Sequence, residues 1–413
     1  MPDVPIDTHA GEPAEAPLMG LAALMTSVCS GAELTDLANQ LLERIKRNPN
    51  DANALMDLAI ISHLWFKHDI GLATQAQALR IRQHYRLPPT GAARIRLLAI
   101  MHHGDLAANT PLEFLVQGTD IALDMLYVDP ARPFPASLPE HDVIFIAVGE
   151  SDRSRAALKL IEDQMPCWKR PVLNRPERIG RLSRDSVGAL LQSVPGVTMP
   201  LSVRLPRQVV ERIGSQALPL RTMLADGDFP VIVRPVDSHA GHGLAKIDEP
   251  GEIAGYLQAR PESEFYVSRF VDYRSADGLY RKYRIALVDG QAFAGHMAIS
   301  EHWMIHYLNA RMSASQEKRD EEARFMQHFD TVFAARHADA LRAIHQLAGL
   351  DYLIVDCAES ADGTLLVFEI DSAAVVHAMD PVETFPYKQA QMKKVFDAFQ
   401  ALLERAAAAP PAD

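Results

Sequence analysis

Apolar positions recur at helical spacing through residues 20–88 and give way to short, strand-like apolar runs beyond them. Leu34, Leu37, Leu41 and Ile45 stand three or four residues apart, which places them on one face of a helix. Asn48-Pro49-Asn50 ends it. A second helix is predicted from about Asp51, carrying Leu55, Leu58 and Ala59, and a third from about Gly71 to Tyr85, stopped before Pro88-Pro89. From Ala93 the runs IRLLAIM (95–101), IALDMLYV (121–128) and DVIFIAV (142–148) read as buried strands, and SRAALKLIEDQM (154–165) as a helix. Thr110-Pro111-Leu112-Glu113 has the form of a helix start, with Thr110 as cap, Pro111 in the first turn and Glu113 closing a capping box. Strands alternating with helices predict a parallel sheet, whose ligands gather at the carboxyl ends of the strands. His102, His103, Gly104, Asp105, Gly149 and Glu150 fall at that edge, where the two histidines read first as loop residues.

Residues 171–200 hold a basic loop, a helix and a Pro-Gly turn. In FPVIVRPVDSHAGHGLAKI (229–247) a strand delivers Arg234, a loop Asp237–Gly243 follows, and a second strand begins at Leu244. FYVSRFV (265–271) and YRIALV (283–288) read as strands around a loop rich in Asp, Ser and Gly. HMAISEHWMIHYLNARM (296–312) carries His296, His302 and His306 with Trp303 and Tyr307; it reads as an amphipathic helix or a binding surface, with His302 and His306 on one side. Residues 312–328 predict a charge-dense helix with a solvated face. Near the end, VDCA and LLVFEID flank the turn signal Ala361-Asp362-Gly363, which predicts a β-hairpin.

Composition narrows the classes of function. At 413 residues the chain has room for two or three domains. A net charge of −12 argues against non-specific nucleic-acid binding while leaving room for a local basic pocket. No apolar run reaches the length of a membrane span, and the start, acidic and rich in Pro and Ala, reads as a disordered tail without a signal core. The expected location is the cytoplasm. Cys29, Cys167 and Cys357 are odd in number and far apart, so neither a disulfide framework nor a zinc site is expected.

The candidate chemistry lies in the hairpin. Side chains alternate along a strand, so Glu369 and Asp371 share a face, and pairing brings Asp356 up beside them. Carboxylates in such apolar sequence need a counter-charge, and three converging oxygen groups suit Mg²⁺ bridging substrate phosphates. Asp362 belongs to the turn. Ahead of the hairpin, Gly241 and Gly243 allow close backbone approach to an anion, and Arg234 adds positive charge beside Ser238. GxxxxGK[ST] is absent, so this is not a Walker A loop. Arg281, Lys282 and Arg284 form a basic cluster; an inward Arg284 needs an anionic partner, from a substrate, the acidic triad or a neighbouring strand. Asn309 and Arg311 could contact a ligand carboxylate or phosphate, and HExxH is absent, which leaves a zinc protease unsupported.

Two resemblances follow from these segments. NPNDANALMDLA at the helix–turn–helix resembles a tetratricopeptide-type unit, though such units stack in about three copies and no second copy is present. Over residues 93–395 the order of an α/β domain, VLNRP and PGVTMP, strand–Gly loop–strand, YVSRFV and paired acidic strands resembles the ATP-grasp superfamily. Its closest flavour is the carboxylate–amine ligases similar to glutathione synthetase and to the ligases that add glutamate to ribosomal protein. The resemblance implies an α/β (α+β) fold: a tail over 1–19, a helical cap over 20–90, a small parallel-sheet domain over 91–200, a two-part ATP-grasp domain over 201–400 and a tail over 401–413. It implies ATP and Mg²⁺ as cofactors, with the metal on Asp356, Glu369 and Asp371. Arg184, Arg234, Ser238, Gly241 and Gly243 would hold the nucleotide phosphates, the Phe270–Val271 backbone the adenine, and Asp272 the ribose. Arg284 and Asn309 would stabilise the acyl phosphate. Three positions depart from the family pattern: Asp371 stands where Asn is usual, and Arg234 and Arg184 stand where lysines are usual. The implied reaction joins a small-molecule or peptide carboxylate to an amine; a homodimer fits the same reading. The alternatives are a non-catalytic nucleotide-binding scaffold or sensor that meets a partner through the helical cap, and phosphoryl transfer to a non-carboxylate acceptor.

Overall fold

The computed structural model describes residues 16–238 and 241–410, so most of the expected N-terminal tail lies outside the described residues. Its first sheet collects β1 (His84–Leu87), β2 (Ile95–His102), β3 (Ile121–Val128), β4 (Val143–Ile146) and β5 (Val172–Leu173) in the order β1-β3-β2-β4-β5. β2 to β5 pair in parallel, and β1 closes one edge antiparallel to β3. β3 is buried at every position, as its almost unbroken apolar run requires of a strand covered on both faces. Its one acid, Asp124, is accommodated because His84 and Arg86 reach it from β1 at 2.5 and 2.8 Å.

The helices Gly20–Cys29, Thr35–Arg47, Ala52–Leu64 and His68–Ile81 cap this sheet. Asp51 caps the third by accepting from the Ala54 amide at 2.9 Å. That helix is buried along nearly its whole length, and Leu18, Ala52, Leu55, Met56 and Ala78 join one apolar core with β2 and β3. The cap is therefore continuous with the sheet it covers, and β1 lies within the stretch expected to be helical. Thr110 does not cap a helix. Its hydroxyl donates to the Ser372 carbonyl at 2.8 Å, and Glu113 accepts instead from the Ala22 amide at 2.8 Å, because tertiary partners outcompete the local box.

After β6 (Val197–Thr198), a small antiparallel sheet forms from β7 (Ser202–Pro206), β8 (Val231–Pro235), β9 (Ala245–Ile247) and β10 (Glu264–Arg269), in the order β7-β10-β8-β9. It has its own core, including Leu205, Val210, Val233 and Phe265. The large sheet, β12-β11-β13-β14-β6, contains β11 (Tyr280–Val288), β12 (Gln291–Ser300), β13 (Tyr352–Glu359) and β14 (Leu365–Asp371). β13 and β14 are the predicted hairpin, paired antiparallel. The structure thus has the expected α/β class: a mostly parallel sheet under a helical cap, then two further sheets with a cleft between them. Asn174, from the VLNRP loop, clamps the first sheet to the third. It is fully buried, donates to the Tyr352 carbonyl at 2.8 Å and accepts from the Tyr352 amide at 2.9 Å.

Three local expectations change. The stretch 296–312 is no helix: His296 ends up inside β12, and His302 and His306 lie in the irregular chain before a short turn at Tyr307–Ala310. On Gln316–Gln327 the acids are not all solvated, since Glu322 is fully buried and accepts from the Met297 amide and the Tyr387 hydroxyl. The last helix, Lys388–Ala408, continues through residues expected to be tail, because Leu402 and Leu403 are buried against the core that Phe399 shares with Phe145 and Tyr352.

Candidate functional site

Pairing in the large sheet sets the acids in a row. Arg284 on β11 lies opposite Asp356 on β13, and Asp356 opposite Glu369 on β14. Glu369 and Asp371 are two apart on the same strand, so Asp356, Glu369 and Asp371 share a face as predicted. What the sequence did not disclose is how thoroughly cations hold them. Arg284 grips Asp356 with two parallel bonds, Nε to Oδ1 at 2.8 Å and Nη2 to Oδ2 at 2.9 Å, and Lys282 Nζ adds a third at 2.8 Å. A further Arg284 donor, Nη1, goes to the Val375 carbonyl at 3.0 Å. Glu369 is met by Arg184 at 2.5 Å, and Arg184 also donates to the Phe368 carbonyl. Asp371 accepts from the Ala373 amide at 2.7 Å.

These pairs decide the electrostatics. Burial pushes Asp356 upward, but Arg284 and Lys282 outweigh it and hold the carboxyl far below its usual range. Glu369 is likewise raised by burial and lowered further by Arg184 and Arg234, so it too stays ionised. Glu150 behaves oppositely. It lines the same cleft from beyond β4, and burial together with Asp237 and Asp152 raises it to about 7.

The cleft lies between the small and large sheets and the first sheet's edge, with about 590 Å³ of empty space, its open mouth included. Arg184, Glu369 and Asp371 line one side, Pro235, Asp237, Ser238 and Tyr266 the other, with Glu150 between. Arg234 stands opposite Tyr266 in the sheet and is only 8% exposed. Its Nε donates to the Ser238 hydroxyl at 3.1 Å and its Nη2 to the Ser238 carbonyl. Among the described residues it has no ion-pair partner, and burial with nearby Arg184 lowers its pKa to about 9, leaving it charged at neutral pH. Gly243 (φ +70°) could not carry a side chain, since a Cβ there would meet the Pro235 ring at 2.6 Å. Gly241 (φ +75°) also belongs to this loop, whose His239 and Ala240 lie outside the described residues.

Several predicted residues do not join this cleft wall. Phe270 packs edge-on to Trp303 and under Lys246; Val271 is half-buried beside it; Asp272 is exposed and faces Arg274. Asn309 is exposed and folds back onto the His306 amide. Lys282, Tyr266 and Asp237 belong to the site although sequence reading singled out none of them as ligands. Arg284-x-Lys282 spacing on one strand was the available signal for the first. Among the described residues no group of three or more His, Cys, Asp and Glu side chains is arranged to hold a metal ion. As placed, Asp356 does not fit Mg²⁺, because three of its lone-pair directions are occupied by guanidinium and ammonium groups, and Arg184 holds one oxygen of Glu369.

No family model and no curated protein matches the sequence. The structure is similar to the VanG D-Ala:D-Ser ligase from Enterococcus faecalis, at 14% identity and a TM-score of 0.45 over 75% of this chain and 99% of that one. It is similar to the D-alanine–D-alanine ligase from Bacillus anthracis complexed with ATP, at 13% identity and 0.44 over 76% and 98%. A RimK domain ATP-grasp protein from Sphaerobacter thermophilus gives 12% identity and 0.43 over 75% and 99%. Among the described residues no helix is long and apolar enough to cross a membrane.

Proposed function

We propose that the protein is an ATP-dependent ligase of ATP-grasp type, which activates a carboxylate as an acyl phosphate and joins it to an amine, releasing ADP and phosphate. The observation that supports this best is Arg234. A guanidinium nine-tenths buried without a counter-ion is costly unless an anion completes it, and the positive-φ glycines Gly241 and Gly243 follow it in the next loop. Arg184 is the second phosphate contact. Catalysis in such a site consists of positioning and neutralising the transferring phosphoryl group, and no side-chain nucleophile is required. Arg284 keeps Asp356 in place, so the role at the acyl phosphate passes to Lys282, whose three donors are not fixed in a fork. Glu150, ionising near neutrality at the cleft wall, suits removal of a proton from the incoming amine.

The test is direct. The purified chain should bind ATP in calorimetry and, with a panel of small acids and amines, release ADP and phosphate with an amide as product. Absence of nucleotide binding ends the proposal. Glu369→Gln, which removes the charged partner of Arg184, should lower turnover sharply, and full activity in that variant would take the acidic face out of the mechanism. Binding of ATP without ADP release would select the scaffold or sensor reading, to which the cation-paired acids lend some weight, and a phosphorylated product in place of an amide would select phosphoryl transfer.

A further inference from the structure

We infer that this cleft binds the polyphosphate group without a divalent cation, with Lys282 and Arg284 occupying at Asp356 the place a metal ion would require. The inference rests on the nucleotide reading above only for the identity of the natural ligand; the charge arrangement stands without it.

Asp356 carries four lone-pair directions, and three are taken: two by the Arg284 fork and one by Lys282 Nζ. The residue is 4% exposed, so no water-filled approach is left from which a hydrated metal could enter without moving those groups. Freeing Asp356 would strand Arg284, which burial already penalises and which the Asp356 carboxylate holds charged. Glu369 is held less completely: Arg184 bonds one of its oxygens, Arg234 and Lys282 act on it through space, and its side chain is 32% exposed. Four cations, Arg184, Arg234, Lys282 and Arg284, thus face the acids Asp356, Glu369 and Asp371. Of the four, Arg234 has no carboxylate partner among the described residues. At this wall the four side-chain cations outnumber the three acids by one, while Glu150 and Asp237 line the cleft elsewhere, so the charge that a magnesium-dependent site obtains from its metal would come here from the side chains of this wall.

Calorimetry of the full-length chain with ATP and with inorganic tripolyphosphate, each in excess EDTA and in millimolar Mg²⁺, tests this. The expected result is that each ligand binds in EDTA with a Kd within about threefold of that in Mg²⁺, and that Lys282→Met weakens binding in EDTA by about tenfold while restoring a response to Mg²⁺. Wild-type binding that falls by about tenfold or more when Mg²⁺ is removed overturns the inference and leaves the ligase reading standing. Tripolyphosphate bound in EDTA while ATP binds in neither buffer supports the inference and removes the nucleotide. Binding of neither ligand in either buffer overturns both.

Discussion

Two pairs of buried or half-buried carboxylates in this protein meet opposite fates. In the cleft, Asp356 and Glu369 face arginine and lysine and are held ionised. In the helical cap, Asp57 and Glu113 accept from the open start of the helix Gly20–Cys29, and Arg44 acts on Asp57 only through space. Asp57 accepts from the Met19 and Gly20 amides at 3.0–3.2 Å and Glu113 from the Ala22 amide at 2.8 Å. Burial raises Asp57 to about 6 and Glu113 to about 7, and the amides only partly offset it. Desolvation acts on all four in the same direction. What separates them is whether the compensating group carries a full charge or the partial charge of a helix terminus.

The largest expected effect breaks the cleft side of this contrast. Arg284→Met leaves Asp356 buried with Lys282 alone and should destabilise the fold by about 3–5 kcal/mol in urea denaturation, the usual loss when one partner of a buried pair is removed. Adding Asp356→Leu together with Lys282→Met should recover most of that loss, since the apolar set leaves no stranded charge behind. If the single variant costs under about 1 kcal/mol, the pair is not the anchor its geometry indicates.

The cap should respond to pH with the opposite sign. Both carboxyls have folded pKa values above their unfolded ones, so the folded state binds more protons. Their contribution is fully present below about pH 4 and is lost as pH rises towards about 7. The variant Asp57→Asn with Glu113→Gln keeps an oxygen acceptor toward each amide and removes both charges. It should be more stable than wild type by at least about 2 kcal/mol at pH 8 and indistinguishable near pH 4. Thermal denaturation at the two pH values measures it; a difference that does not change with pH would mean the carboxyls titrate normally. Asp356 and Glu369, held low, should add no such slope over this range.

Much of this was legible beforehand, and the limits have a common cause. The central strands β2, β3 and β4 of the first sheet and the acidic hairpin declared themselves through long apolar runs, where period and burial agree, whereas the short β1 and β5 did not. The shared face of Asp356, Glu369 and Asp371 followed from strand alternation alone. Their partners did not, because Arg184 and Arg284 lie 185 and 72 residues from the acids they bind, and no local pattern encodes that. The capping box at Thr110 failed for the same reason: Ser372 and Ala22, remote in sequence, took both groups. His302 and His306 looked helical by spacing, but the preceding strand β12 runs on to Ser300 and leaves them in its exit turn.

Glu150 is the intermediate case. It sits in the cleft, yet its near neighbours are Asp237 and Asp152, so burial and like charge raise it to about 7, as in the cap. When ionised it should repel a polyphosphate, which gives affinity a pH dependence of its own. Binding should weaken by several-fold, up to about tenfold, between pH 6 and pH 8, and Glu150→Gln should flatten the profile. Titration of tripolyphosphate at three pH values reads this out, with phosphate ionisation corrected through the variant. An unchanged profile in Glu150→Gln would assign the dependence to the ligand.

The smallest expected effect tests whether burial is what makes the comparison matter. Lys393 and Asp397 form an ion pair at 2.6 Å on the outer face of the last helix, shorter than Arg284–Asp356 in the cleft, but their side chains are 72% and 55% exposed. Water competes with both ends, and ordering two long side chains offsets most of the attraction, so Lys393→Ala should cost no more than about 0.5 kcal/mol. The bond lengths of this pair and of Arg284–Asp356 differ by only a few tenths of an ångström, while the expected energies differ several-fold. A loss at Lys393 comparable to that at Arg284 would therefore show that contact distance, not desolvation, sets the strength of ion pairs in this fold.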